Sequence, residues 1–478
     1  MKNKLVAFGF GLLAVSAILL SGCGGPASLT PSSPTSTAPD IERVVPSASQ
    51  PIPTSSPRLP AAPTVPAQYQ SLYNELQGYV TNMDKQVAVG WDGSTYAVDY
   101  AAELLTADEN AGPGILQPST QQVMTEELDG ERSLGVQAVT VQIGFPIFDQ
   151  DFYVSAGESS AQADQSVQQW LSYYQALALA IHSRGLKMVV EANPLLSAYI
   201  SATSSFNPAS YYKSLDFATY EKLRSQHNIV VAQQIKPDYL LLQTEPQTDA
   251  FNDYRPELNN PAQDTAMIRS FVTDLDSAGI VGLHTSIQLG SGVGTWQPYW
   301  NSFISTLAGI SGLDKLDTHI YSLEPSVNKI GEVAIASQIA DLAHAAGKGV
   351  SMSEVWFHKS DSLGGLTGEA INEIQARDVL SFWAPLDQQF FPVLVKLANS
   401  KRFDYVSCFG HYNWFALTDY DSLSSPPAYQ VTSAAQNATI DTQIIRMQNQ
   451  AARQALAAGQ LTATGKAYQA AIARSEKR

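Results

Sequence analysis

Short apolar segments alternate with longer stretches of helical spacing from Ala67 to about residue 427, and the alternation recurs eight times. Such alternation predicts an α/β chain with a parallel sheet, and eight units predict closure into a (β/α)8 barrel. Two of the apolar runs end abruptly in a carboxylate. They are Leu240-Leu241-Leu242-Gln243-Thr244-Glu245, followed at once by Pro246, and Gly349-Val350-Ser351-Met352-Ser353-Glu354. A run of this kind reads as a fully buried parallel strand, and the C-terminal ends of barrel strands carry the chemistry of such folds. The competing arrangement is an open doubly wound sheet, which would normally show a phosphate-binding glycine loop. The nearest approach is Gly290-Ser291-Gly292-Val293-Gly294, but Thr295 stands where G-x-G-x-x-G requires its third glycine. That run is read as a loop at the barrel mouth.

The chain begins with a targeting pattern. Met1-Lys2-Asn3-Lys4 is a positive n-region, Leu5 to Leu20 an apolar stretch too short for a comfortable membrane span, and Leu20-Ser21-Gly22-Cys23 follows. This last segment resembles a bacterial lipobox, which implies cleavage before Cys23 and lipid attachment to its sulfur. Residues 1–22 then form a signal peptide. The lipidated chain would sit in the cell envelope outside the cytoplasm, in the outer membrane where the envelope has one. From Pro26 to Pro66 there are 11 of the chain's 26 prolines, interleaved with Ser and Thr. Such a segment cannot bury enough apolar area to offset its ordering entropy, so residues 23–66 read as a stiffened, disordered tether.

The barrel is read as residues 67–427. A helix around Tyr69–Met83 leads to a first strand, Val87–Asp92. The second strand is Val136–Ile143 and the third Gly185–Glu191. The fourth ends in Glu245, the fifth is Gly282–Gln288, and the sixth ends Asp317-Thr318-His319-Ile320-Tyr321. The seventh ends in Glu354 and the eighth is Phe403–Gly410. A polar, Ala- and Gln-rich helical segment from residue 428 to 478 packs on the barrel or trails it.

Composition narrows the function. Lys+Arg is 28 against Asp+Glu 44, a net charge of −16, which argues against a nucleic-acid or anionic-membrane surface and suits neutral ligands. Only two cysteines occur, Cys23 and Cys408, so there is no disulfide framework, and Cys408 lies inside an apolar strand as a buried thiol. Tyr at 21 and Trp at 7 supply rings with apolar faces and polar edges of the kind that bind sugars. Metal-dependent chemistry lacks its signatures: there is no HExxH or CxxC, and His284 falls near the start of a strand, at the wrong end. A G-x-S-x-G serine elbow is absent too.

Glu245 and Glu354 are 109 residues apart, which suits three βα units and places both at one barrel mouth. Glycoside hydrolysis needs such a pair, one carboxyl to protonate the leaving oxygen and one to attack the anomeric carbon. At this point the residues resemble a family, the retaining glycosidases of clan A. Thr244-Glu245-Pro246 resembles the Asn-Glu-Pro of their acid/base, and Ser353-Glu354-Val355-Trp356 resembles their nucleophile strand. Asp317-Thr318-His319-Ile320-Tyr321 resembles their sixth strand, and His411-Tyr412-Asn413-Trp414-Phe415 their eighth. The resemblance implies Glu245 as acid/base, Glu354 as nucleophile, His319 or Tyr321 beside the nucleophile, and Trp414 under the −1 sugar. Endo-galactanase-like and cellulase-like members both fit. Two departures stand out. Thr244 occupies the place of the Asn whose amide bonds the sugar 2-hydroxyl, and Gln142-Ile143-Gly144-Phe145 offers no Arg where many members have one.

Supporting candidates are Asp92, Glu191 and Asn193 at strand ends, with Trp91, Trp356 and His358 lining the cleft. The expected activity is a surface-anchored, monomeric glycosidase with a carbohydrate substrate, no cofactor and no metal. The alternative is a catalytically silent barrel lipoprotein that binds glycan or serves the envelope.

Overall fold

The computed structural model describes residues 65, 67–89, 91–198, 200–321, 331–357, 379–409, 412–416, 451–452 and 454–473. Eight parallel strands close in sequence order: β1 (Asp99–Glu103), β2 (Ala138–Gln142), β3 (Lys187–Glu191), β4 (Tyr239–Leu241), β5 (Gln288–Gly294), β6 (Lys315–Tyr321), β7 (Gly349–Trp356) and β8 (Tyr405–Cys408), with β8 pairing back onto β1. This is the (β/α)8 barrel that the alternation predicts. The signal peptide, Cys23 and the tether lie outside the described residues.

Side chains at alternate positions fill the barrel. Ala101, Ala138, Val189, Tyr239, Leu241 and Tyr405 form an interior cluster. Below it, Lys187 bonds Asp99 at 2.5 Å, Tyr239 donates to Asp99 at 2.9 Å, and Lys315 pairs with Asp404. Strand periodicity carries the same faces upward. On β1 the inward series is Asp99, Ala101, Glu103; on β3 it is Lys187, Val189, Glu191; on β6 it is Lys315, Asp317, His319, Tyr321. The bottom of each series makes a salt bridge or packs, and the top reaches the mouth.

Two strands differ from the sequence reading. Val87–Asp92 is not the first strand. Leu76, Val80, Met83 and Val87 are spaced by four, three and four residues and are all buried, so Val87 and Ala88 are the last turn of a helix, Gln70–Ala88. The strand-like composition of Val87-Ala88-Val89 is helix end, and Val89 is 83% exposed. Of Gly282–Gln288 only Gln288 belongs to the fifth strand; the residues before it form a turn, with His284 at φ +62°. The glycine run read as a loop is β5 itself. Glycine is a poor strand former, but here its smallness is required. A Cβ on Gly292 would stand 1.9 Å from the Asp317 carbonyl oxygen, and one on Gly294 would stand 2.3 Å from the Trp296 ring.

Near the C-terminus, helix Ala463–Ala473 packs on helices Ala384–Ser400 and Pro118–Leu134, in the position of an eighth barrel helix between β8 and β1. Tyr468 is its anchor. The ring stacks on Trp414 at 5.0 Å and 7°, and its hydroxyl donates to the Ala101 carbonyl at 2.8 Å. Tyr468→Ala should therefore lower unfolding stability in urea by about 3–5 kcal/mol through loss of a fully buried ring, whereas Tyr468→Phe should cost about 1 kcal/mol for the hydrogen bond alone.

Candidate active site

Glu245 sits where β4 gives way to helix Pro246–Asn252. Proline at the first helical position, with its missing N–H and fixed φ, starts the helix there and leaves Glu245 as the N-cap residue. Its carboxylate collects three donors. Tyr321 donates to Oε1 at 2.5 Å, His319 Nδ1 lies 2.7 Å from the same oxygen, and Thr248 donates to Oε2 at 2.5 Å.

Glu354 reaches the same space by a break in strand geometry. β6 pairs Asp317 with Ser351 and His319 with Glu354, so β7 spends three residues where β6 spends two, and β8 records the same shift between Met352 and Val355. Before this β-bulge, Ser351 and Ser353 face the barrel interior, donating to Asp317 at 2.6 and 2.7 Å. After it, Val355 and Phe357 face outward against Phe390 and Phe391. The phase change turns Glu354 inward beside Ser353, with Oε2 3.7 Å from His319 Nδ1. One oxygen each from Glu245 and Glu354 and one His319 nitrogen lie within 4.8 Å of one another.

His319 is the centre of this arrangement. Nε2 lies 2.8 Å from Ser353 Oγ and 3.8 Å from both Glu191 Oε1 and Asp317 Oδ2. Burial disfavours charge on the ring, but Glu191, Glu245 and Glu354 outweigh it, and the imidazole is pushed up to about 10. Burial raises Glu191 to about 7, with His319 opposing and Glu354 and Asp317 adding to the rise. Burial, Glu245 and Glu354 together push Tyr321 well above the usual phenol range, so it remains a donor. The Glu245, His319, Glu354 trio is compact enough to offer metal ligands. An imidazolium that uses both ring nitrogens as donors has no lone pair to give a cation, so the donor set does not fit a metal as it stands.

A second group of acids lines the β1–β3 side. Gln142 on β2 donates to Glu191 at 2.9 Å and to Glu103 at 3.4 Å. Glu103 Oε2 and Glu191 Oε1 have no hydrogen-bond partner among the described residues. Burial, then Glu354 and Glu191, push Glu103 well above the usual carboxylate range, and Asp108 and Glu109 just beyond β1 are raised chiefly by burial.

Among the residues singled out from sequence, Glu245, Glu354, His319, Tyr321, Glu191 and Asn193 converge here. Thr244 does not face the cleft as expected. It is fully buried, its hydroxyl accepts from Asn193 Nδ2 at 2.7 Å, and its N–H donates to Asn193 Oδ1 at 3.0 Å. Asn193 Nδ2 also donates to Glu191 at 3.1 Å, so its amide clamps β3 to β4. Trp414 is not a sugar floor. It is 1% exposed and covered by Tyr468. Trp91 and Asp92 belong to the loop ahead of β1, at the opposite end of the barrel, where Asp92 is exposed and accepts from the Ser94 N–H at 2.8 Å. Trp356 ends β7, and its side chain, like His358 and His411, lies outside the described residues. Two participants escaped the sequence reading. Trp296 stacks on Tyr321 at 4.0 Å and is partly exposed. Glu103 ends the true β1, but Leu104 and Leu105 follow it, so no break in the apolar pattern marks it as a strand end.

No family model matches the chain, and no curated protein matches it. Solved structures similar to it include the exo-β-1,4-mannosidase Op5Man5 from Opitutaceae bacterium strain TAV5, at 13% identity over 77% of this chain and 63% of that one, with a TM-score of 0.43. A GH5_18 protein from Bifidobacterium longum subsp. infantis is 14% identical over 80% of each chain, with a TM-score of 0.41. A modular endo-β-1,4-mannanase from Cellulomonas fimi is 11% identical over 76% of this chain and 74% of that one, with a TM-score of 0.39. The chain spans less than two thirds of the length of the mannosidase.

Glu191 gives a stability prediction. Its folded-state value, raised from 4.5 to about 7, means that its stabilising contribution is complete below pH 4.5 and lost as pH rises through about 7. Glu191→Gln removes that loss, so its denaturant midpoint should fall less than wild type across this interval, by up to about 3 kcal/mol in stability.

Proposed function

We propose that this chain is a retaining glycoside hydrolase acting on a β-linked neutral glycan, with Glu354 as nucleophile and Glu245 as acid/base. The observation that carries this reading is the meeting of the two carboxylates in one mouth, with oxygens within 4.8 Å. Double displacement requires carboxyl groups about 5–5.5 Å apart, whereas inversion requires about 6.5–9.5 Å to admit a water.

In the first step Glu354 attacks the anomeric carbon and forms a glycosyl-enzyme, while Glu245 protonates the departing oxygen. In the second, Glu245 takes a proton from water, which releases the sugar from Glu354. The reaction needs no metal or organic cofactor. His319 and Tyr321, hydrogen-bonded to Glu245 at 2.7 and 2.5 Å, orient its carboxylate. Trp296, stacked on Tyr321, offers a ring edge beside the carboxylates on which a sugar can rest.

A second reading has its own support. Thr244 Oγ1 is engaged by Asn193, and Glu245 accepts from Tyr321, His319 and Thr248, so both are tied to their own neighbours. A barrel that holds glycan without cleaving it would tolerate both. Turnover separates the two. Full-length chain should hydrolyse aryl β-glycosides. Glu354→Gln and Glu245→Gln should each reduce kcat by at least about 10²–10⁴-fold, with azide rescuing the Glu245 variant as a glycosyl azide of retained configuration. Activity unaffected by both substitutions sinks the assignment, and a wild type that binds glycans without turnover favours the silent barrel.

The chain's net charge of −16 disfavours the approach of anionic sugars. Polygalacturonate should be cleaved more slowly than neutral β-glycans, as measured by reducing-end release. For the N-terminus we infer a lipid anchor on Cys23 in the cell envelope, because a short apolar segment ends in Leu20-Ser21-Gly22-Cys23. Among the described residues no helix is long and apolar enough to cross a membrane. Labelled palmitate should enter the wild-type chain and not Cys23→Ser.

A further inference from the structure

The hydrogen-bond directions behind His319 constrain the ring more tightly than its contact with Glu245 alone. Asp317 takes the Ser351 hydroxyl on Oδ1 at 2.6 Å and the Ser353 hydroxyl on Oδ2 at 2.7 Å. All three side chains are fully buried. Burial pushes the Asp317 carboxyl up, while the His319 charge and these two hydrogen bonds hold it down. A serine has one hydroxyl hydrogen. With that hydrogen on Asp317, Ser353 Oγ can only accept from His319 Nε2, 2.8 Å away. Nε2 therefore carries hydrogen whether the ring is charged or neutral. The mobile ring proton is on Nδ1, and it faces Glu245 Oε1 at 2.7 Å.

We propose that Asp317 and Ser353 are positioning residues that fix His319 in the Nε2–H tautomer, so that Nδ1 is the ring position exchanging a proton with Glu245. The exchange is balanced. The N–H bond at Nδ1 breaks and its electron pair stays on nitrogen as the ring lone pair. An O–H bond forms at Glu245 Oε1, and an imidazolium–carboxylate pair becomes an imidazole–carboxylic acid pair with no change in net charge. This gives Glu245, surrounded by donors, a local source for the hydrogen that an acid catalyst must give away. The catalytic consequence rests on the glycosidase reading, but the tautomer does not. The other titratable groups facing the ring are Glu191 from β3, Tyr321 from β6 and Glu354 from β7. None of them offers Nε2 an acceptor as close as Ser353.

The test is nitrogen-15 spectroscopy of histidine-labelled full-length protein, titrated from about pH 5 to about pH 11. The chain has seven histidines, and His319 is assigned by the signal lost in His319→Gln. The wild type should show an imidazolium that deprotonates only at Nδ1. Ser353→Ala should deprotonate at lower pH and populate the Nδ1–H form, while Ser353→Thr should keep the wild-type pattern. In turnover of aryl β-glycosides, Ser353→Ala should lower kcat about tenfold with KM unchanged and move the alkaline limb to lower pH, and Ser353→Thr should restore both. A neutral Nδ1–H ring in the wild type overturns the proposal without any variant. So does a Ser353→Ala ring spectrum identical to wild type. A wild type without hydrolysis but with the Nε2–H ring overturns the glycosidase reading and leaves the positioning role standing.

Discussion

One cation, the His319 ring, stands among Glu191, Glu245, Asp317 and Glu354, with all four carboxylates within 3.8 Å of a ring nitrogen. Buried carboxylates that repel one another either take up protons or move apart, because an uncompensated ion in a dry interior costs several kcal/mol. The imidazolium offsets that repulsion at a single point, and it contacts strands β3, β6 and β7 and the end of β4 at once. The mouth is therefore held together by charge from within, while the rest of the barrel is held by apolar packing. The ring's own position depends on β6, where inward alternation runs from Lys315 at the floor through Asp317 and His319 to Tyr321 at the rim.

The fold was legible because a barrel repeats one unit eight times, and an error in one unit does not disturb the count. The two errors had local causes. Val87, Ala88 and Val89 have the composition of a strand, yet Val87 completes a buried helical face begun at Leu76. Tertiary packing overrode propensity there. At β5 the reverse occurred. A strand was written in glycine because the Asp317 main chain and the Trp296 ring left no room for a Cβ, and glycine carries no strand signal of its own. With the first strand placed too early, Glu103 is missed, and the two leucines that follow it hide the strand end that Pro246 makes plain at Glu245.

The site was legible where chemistry sits at the end of a strand and opaque where it depends on what side chains do to one another. Glu245, His319 and Tyr321 follow from strand order and alternation. Thr244 reads as a sugar ligand because it stands where the resembling family has the Asn that bonds the 2-hydroxyl, but consecutive residues leaving a strand point different ways, and its hydroxyl is used to tie β3 to β4 through Asn193. Trp414 reads as a sugar platform because the segment around it resembles the eighth strand of the clan A glycosidases. Its actual partner, Tyr468, lies far along the chain in a segment whose polar, alanine-rich composition leaves open whether it packs on the barrel or trails it.

The bulge in β7 has a consequence for how this mouth can change over time. In a regular strand, adjacent residues serve opposite masters, one the interior and one the helix layer, so each strand contributes to the mouth at every second position. The additional residue between Ser351 and Glu354 suspends that rule and lends the mouth two neighbours, a hydroxyl and a carboxylate, from a single peptide unit. The two depend together on that residue: loss of one residue from this stretch would restore alternation with the carboxylate still opposite His319, and would leave no inward place for the hydroxyl beside it. A mouth of this kind can gain or lose the group that supports its histidine through a change in count rather than a change in kind.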